Sequence, residues 1–491
     1  MEVLRDCLPA SVRRTLKELP ESLDETYERI LKEIKKPNRG FAQRILQCLV
    51  VAVRPLRVAE LAEVLAVDFD DSEGIPRLNA DWRWEDQEQA LLIACSSLIA
   101  IVKAGDGGSD VETSNGGSDV ETSDGDWDIE ATDGDSIIES GDSRVVQFSH
   151  FSVKEYLTSS RLSTATGEIS AYRIDLENAH TILAQACLGV LLQTHDEING
   201  NTSKDHPLAR YAAEHWTTHA QFGEVSSRLQ KGMEYLFDVN KPHFKAWLTL
   251  YDMDTYPPYP STFREFTLYY KSSAVPLYYA ALCGFHDLVE HLISKYPQDV
   301  NAGGGHCIRP LIAALAGEHF RTADLLRSNG ADPDVKGQYG TIPLHSAANF
   351  EKFEVVQKLI DYDADIDARD EDGWTPLYWA SRGLHVKNGS VLRLLLERGA
   401  DVNAREKNGL TPLHRASIYG ALDVVRLLLE HGADVEAVSE AGETALRVVG
   451  ESQRIYGVIP TVDQAYQGRC DEIRRLLVEH GQSENTVLNT L

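Results

Sequence analysis

Apolar side chains recur at helical spacing along most of this chain, and the recurrence predicts its elements. Over residues 20–35, Tyr27, Ile30, Leu31 and Ile34 fall on one face, behind Pro20 and a Ser22–Glu25 pair spaced as a capping box. Further helices are predicted near residues 41–53, 58–65, 88–98, 179–192 and 207–220. Two runs are strand-like instead, Ile99 to Val102 and Val145 to Phe148. Between them, residues 105–142 hold 13 acidic residues and no basic one, and the block GGSDVETS at 107–114 recurs at 116–123. That composition cannot bury enough apolar area to offset chain entropy, so a disordered loop at the tip of a two-stranded wing is expected. Its aspartates do not have the spacing of an EF-hand calcium loop.

The second half follows a longer period. Pro-Leu pairs stand at Pro276, Pro310, Pro343, Pro376 and Pro412, in steps of 34, 33, 33 and 36 residues, and 33 further on lies Ala445-Leu446. The copy at Thr411 shows the task of each position. Thr411 is suited to cap a helix through its hydroxyl, and Pro412 gives up only an amide that has no helical partner. Leu413, Ala416, Val424, Val425 and Leu428 supply the apolar faces of two short helices, and Gly432 suits the left-handed backbone that ends the second. The same ending recurs at Gly330-Ala331-Asp332 and Gly399-Ala400-Asp401. Period and motif resemble those of ankyrin repeats. Five repeats and a degenerate cap are expected, the cap interrupted by an insertion at about 450–467 before Asp471 to Leu477 resume the second-helix pattern.

One repeat cannot cover both of its apolar sides, so the repeats must stack. His345 and His414 are expected to tie a turn to its neighbour rather than to bind metal or act as bases. Asn301 and Asn403 are expected to form turns. Partner choice in such a stack lies at the loop tips and along the first helices, here Tyr339, Asn349, Phe350, Trp374, Tyr378, Trp379, Arg382, Arg415 and Tyr419. Aromatics with arginine are the composition of interface anchors, so a protein partner is expected in this groove. Packing between repeats is the other role open to Trp374 and Trp379.

With 491 residues the chain should divide into several domains. The charge of −28, from 48 Lys and Arg against 76 Asp and Glu, disfavours nucleic acid and anionic lipid as partners. The seven cysteines form no CxxC pair, so neither a disulfide framework nor a zinc site is suggested, and a reducing, cytoplasmic setting is expected. No apolar run reaches the ~20 residues of a membrane span, and no secretory signal opens the chain. No cofactor and no catalytic residue is predicted.

Helices followed by two strands joined by a loop describe a winged-helix domain. Its candidate recognition helix, 58–65, carries Glu60 and Glu63 and no cation, which argues against reading DNA. The Tyr256-Pro257-Pro258-Tyr259-Pro260 stretch reads as an extended linker packed on the first repeat. The predicted fold is mostly α: the end of a helical region (1–35), a winged-helix domain (36–160) with the acidic insert at 105–143, a helical extension and linker (161–270), and an ankyrin-repeat solenoid (271–485).

Leu19-Pro20-Glu21-Ser22-Leu23-Asp24-Glu25-Thr26-Tyr27, Arg54-Pro55-Leu56, Phe148-Ser149-His150-Phe151-Ser152 and Pro207-Leu208-Ala209-Arg210-Tyr211 resemble, in this order, the region after the nucleotide-binding core of fungal NACHT proteins. Those are NOD-like receptors with ankyrin or WD repeats behind them. No Gly-Lys dipeptide occurs in the chain, so the phosphate loop GxxxxGK[ST] is absent. The resemblance therefore implies a non-enzymatic member lacking that core, whether truncated, a fragment or a regulatory partner. The alternative is a nucleotide-dependent switch whose core is missing or supplied in trans. The resemblance also gives His150 the place of a phosphate-sensing histidine, vestigial here, with a capping role in the wing as its other reading. Ser152 and Glu155 are spaced as a capping box and predict a helix start beside it.

Overall fold

The computed structural model describes residues 23–69, 75–95, 97–103, 144–164, 167–193, 206–251, 253, 274–305, 309–337, 340–381, 389–451 and 464–488. The acidic stretch, Ser22, the Tyr-Pro segment, residues 452–463, Tyr339 and Arg382 lie outside the described residues. The chain forms two compact units, Met1–Met253 and Asp254–Leu491.

The first unit begins with helix α1 (Leu23–Glu33), α2 (Arg39–Val51), strand β1 (Leu56–Arg57), α3 (Val58–Leu65), and the short strands β2 (Val67–Asp68) and β3 (Arg77–Leu78). It continues through α4 (Gln87–Cys95), β4 (Ile99–Lys103), β5 (Arg144–Phe148) and α5 (Phe151–Thr158). β5 is central in an antiparallel sheet of order β1-β5-β4, with Val146 opposite Leu56 on one side and Ile101 on the other. The wing thus has three strands where two are expected from sequence, because a two-residue strand is too short to display alternation. Ile45 and Leu46 of α2, Leu61 and Val64 of α3 and Leu91 of α4 close over this sheet as the core.

Burial of α3 adds to the argument from its glutamates against a role as a recognition helix. Every residue except Ala59 is buried, including both glutamates. Glu60 accepts two hydrogen bonds from the Arg54 guanidinium at 2.9 and 2.7 Å and one from the Arg57 amide at 2.7 Å. Glu63 accepts from Arg83 and, at 2.7 Å, from the amide of Leu208, where its charge also faces the positive end of a helix. Arg54 and Arg83 stay about a third exposed while the carboxylates are buried, so removing either arginine would strand a buried charge, and these carboxylates serve the fold.

That helix is α7 (Ala209–Ala220), which follows α6 (Leu176–Leu191) and precedes α8 (Gln230–Leu236) and α9 (His243–Leu250). Asp175 caps α6 by accepting the Asn178 amide at 2.9 Å. Trp216 and Trp247 are fully buried edge to face at 5.4 Å, and the Trp247 indole donates to the Ala213 carbonyl at 2.9 Å. A polar chain crosses the same core. The Val53 amide donates to the Tyr211 hydroxyl (3.2 Å), which meets His219 Nε2 (2.9 Å), and His219 Nδ1 meets His180 Nδ1 (2.9 Å). Burial holds the His219 imidazole down at about 3, so it stays neutral and relays rather than titrates.

The second unit stacks helix pairs, each opened by a proline. The pairs are Pro276–Leu282 with His286–Lys295, Pro310–Ala316 with Phe320–Ser328, Pro343–Asn349 with Phe353–Asp361, Pro376–Ala380 with Ser390–Glu397, and Pro412–Tyr419 with Leu422–Glu430. The degenerate cap ends in a helix at Gln464–Leu488. Thr375 and Thr411 cap their helices as expected, and Gly330, Gly399 and Gly432 take φ of 88°, 94° and 82°. Asp363 stands in the equivalent place at φ 63°, a conformation that aspartate tolerates.

Polar side chains join successive fingers. Asn301, Asp334, Asp367 and Asn403 accept the amides of Asp332, Asp365, Asp401 and Asp434 at 2.9, 3.1, 3.0 and 2.8 Å. The two asparagines also donate, to the carbonyls of Gly330 (2.8 Å) and Gly432 (3.4 Å). His345 accepts the Ile342 amide on Nδ1 (3.1 Å) and meets the Trp374 carbonyl through Nε2 (2.9 Å). His414 does the same with Thr411 (3.2 Å) and Glu443 (3.0 Å). Burial lowers both imidazoles below the ordinary histidine range, which keeps one nitrogen an acceptor. The histidines are thus the ties between turns that their repeat positions predict, while the asparagines, expected only to form turns, join neighbouring fingers as well.

Desolvation raises the Asp367 carboxyl above the ordinary aspartate range, so its charge costs folded-state stability at neutral pH and the cost is relieved as pH falls through that raised value. Asp367→Asn should keep the acceptor for Asp401 and add a donor, as at Asn403. We expect a stability gain of about 0.5 kcal/mol at pH 7, the low end for a half-exposed hydrogen bond. In urea titrations read by circular dichroism the gain should shrink toward pH 3.

Candidate partner-binding face

The finger between the helices Phe353–Asp361 and Pro376–Ala380 is organised around one carboxylate. Asp370 accepts the amides of Trp374 (2.8 Å) and Asp372 (3.0 Å) on Oδ1 and the Trp379 indole N–H (3.0 Å) on Oδ2. Its own amide donates to the Trp374 carbonyl at 3.1 Å, the carbonyl that His345 of the preceding repeat also holds. Trp374 and Trp379 meet edge to face at 5.4 Å, and both are half-buried. A rigid backbone therefore presents two indoles with part of each ring in solvent.

Beneath them lies the side chain that changes the sequence-based picture most. Arg415 is 2% exposed, and its guanidinium sits 4.5 Å from the Trp374 ring, 4.6 Å from Tyr378 and 5.9 Å from Tyr419. Tyr378 is 1% exposed, in a cluster with Leu410, Ile418 and Val448 against which Trp374 and Tyr419 pack. Tyr378 and Arg415 consequently face the stack and not solvent, because the first helix of each repeat is covered on both sides by its neighbours. A desolvated guanidinium between aromatic faces is worth about 2 kcal/mol or more, which makes Arg415 a foundation for Trp374.

Asn349 and Phe350, at the end of the helix Pro343–Asn349, are half-buried, as is Tyr419. Asp370 itself is missed by a composition-based reading. Its signal is positional: Glu406, at the corresponding place one finger on, accepts the amides of Asn408 (2.9 Å) and Leu410 (3.0 Å).

In the first unit His150 is exposed and caps α5, accepting the Ser152 amide on Nδ1 at 3.2 Å. The helix begins at Phe151, one residue before the expected Ser152–Glu155 capping box. Ser152 Oγ instead bridges His150 Nδ1 and the Tyr27 hydroxyl, each at 2.6 Å. The His150 ring lies 4.4 Å from that of Phe151, which is 70% exposed. Among the described residues no group of three His, Cys, Asp or Glu is placed to hold a metal, and no helix is long and apolar enough to cross a membrane.

Comparison with known proteins matches both regions. The family described as ankyrin repeats matches at residues 310–406, 344–439 and 383–454, and the family described as GPI inositol-deacylase, winged helix domain, matches at 27–108. Ankyrin repeats toward the C-terminus and a winged-helix domain near the N-terminus are therefore present in a mostly helical chain. The azaphilone pigments biosynthesis cluster protein L of Monascus ruber is 29% identical over 293 residues, 58% of this chain and 53% of that protein. The chain thus spans about half the length of this curated relative.

Arg415→Ala should destabilise the solenoid by about 2–4 kcal/mol, from the lost cation–π contacts and the cavity left behind. Arg415→Lys should recover less than half of that, since a lysine cannot stack a planar group. Urea midpoints measured on the full chain check both values.

Proposed function

We propose that this chain is a non-enzymatic, cytoplasmic protein-binding module of the NOD-like-receptor type, with its winged helix over 36–160, a helical extension over 161–270 and a binding solenoid over 271–485. The ankyrin face holds a protein partner. The observation that carries this reading is the half-buried pair Trp374 and Trp379, presented by a finger pinned at Asp370 and His345. Indoles that are partly solvated yet rigid lose little entropy on capture, which is what an interface anchor requires. Asn349, Phe350 and Tyr419 extend the contact surface, while Tyr378 and Arg415 support it from beneath.

Neither the repeats nor the winged helix is itself catalytic, and the missing Gly-Lys dipeptide supports a role without nucleotide hydrolysis by this chain. The exposed His150–Phe151 pair is compatible with a face that once met, or still meets, a nucleotide-binding core in another chain. DNA reading is disfavoured further by the burial of α3.

Replacing Trp374 and Trp379 together with alanine should abolish capture of the cellular partner by the full chain in affinity purification, while urea unfolding stays cooperative. Capture at the wild-type level by the folded double variant would contradict the proposal.

A further inference from the structure

We propose that the winged-helix unit carries a second docking groove, separate from the ankyrin face, for a protein segment that combines apolar anchors with lysine or arginine. Four large apolar side chains stand in solvent together: Trp82 (48% exposed), Trp84 (42%), Ile93 (60%) and Phe41 (37%). Phe41 and Trp84 meet edge to face at 5.9 Å, and Trp82, Trp84 and Ile93 line an open groove of about 510 Å³. Large apolar side chains exposed side by side around one groove, not scattered singly, are the arrangement that binding surfaces show.

The backbone that presents the tryptophans is fixed. Arg83, between them, is anchored to the buried carboxylate of Glu63. Asn79 accepts the Asp81 amide at 3.0 Å, and Asp86 accepts the Gln89 amide at 2.9 Å at the start of α4. The indoles therefore stay outward because the chain is tied beneath them, and a partner would find the groove already formed.

Charge selects the occupant. Asp81, Glu85 and Asp86 line the groove, and its one lining cation, Arg83, is already neutralised by Glu63. Nucleic acid is repelled by such a surface, and a second copy of a chain of charge −28 is opposed by its own field. A segment with two or three apolar anchors flanked by Lys or Arg satisfies both the groove and its rim.

The test uses the full chain and a fluorescein-labelled 14-residue synthetic peptide with Leu and Phe at i, i+3, i+4 and i+7 and lysines at the remaining positions. A control peptide carries glutamate for every lysine. Anisotropy at physiological salt should show saturable micromolar binding of the lysine peptide and none of the control. Trp82→Ala with Trp84→Ala should weaken binding at least tenfold, and Ile93→Asp should do the same as an independent variant. Asp81→Asn with Glu85→Gln should weaken it severalfold, and the Trp374/Trp379 alanine pair should leave it unchanged. No saturable binding, equal binding of the glutamate peptide, or binding indifferent to both Trp82/Trp84 and Ile93 would overturn the proposal. Self-association of the chain that disappears in the Trp82/Trp84 variant would assign the groove to a second copy and overturn it as well.

Discussion

Each finger of the solenoid exposes backbone amides that its own repeat leaves without an acceptor, and the preceding repeat supplies one. Asn301, Asp334, Asp367 and Asn403 do this at four successive junctions, and His345 and His414 add a contact to a carbonyl one finger on. Apolar stacking between helices is larger in energy but has no direction, and it would tolerate small slips between repeats. The hydrogen bonds do not tolerate them. They fix the register in which Trp374 and Trp379 stand, so the candidate face takes its geometry from contacts that lie outside it.

The first unit solves a related problem with charge. A helix as apolar as α3 could dock on the sheet in several rotations, but Glu60 and Glu63 accept one set of partners: Arg54 and the Arg57 amide for the first, Arg83 and the Leu208 amide for the second. Glu63 at once joins the winged helix to α7 and holds the loop of Trp82 and Trp84. One buried carboxylate thereby serves both the packing of the unit and the display of its exposed aromatics.

The long amphipathic helices and the repeat period were legible in the sequence because periodicity extends over many residues and averages out local exceptions. β1 and the β2–β3 pair were not, being two residues long and set by register with distant strands. The burial of Glu60 and Glu63 was not legible for a physical reason: carboxylates usually stay solvated, and only the positions of Arg54 and Arg83 in space offset the cost of burying them. In the candidate site, Trp374 and Trp379 stand half-buried, whereas the burial of Tyr378 and Arg415 was not legible because it depends on the neighbouring repeat covering them. Asp370 escaped notice because an aspartate in a polar loop carries no apolar pattern, although its bonds position both indoles.

The central claim is that contacts between repeats preorganise the finger that carries Trp374, and amide hydrogen exchange in the full-length His345→Ala variant tests it most directly. Loss of the imidazole contact to the Trp374 carbonyl should speed exchange across residues 370–374, a repeat away from the substitution, while the second helices keep their protection. Unchanged protection at 370–374, with faster exchange confined to 342–345, would contradict the account.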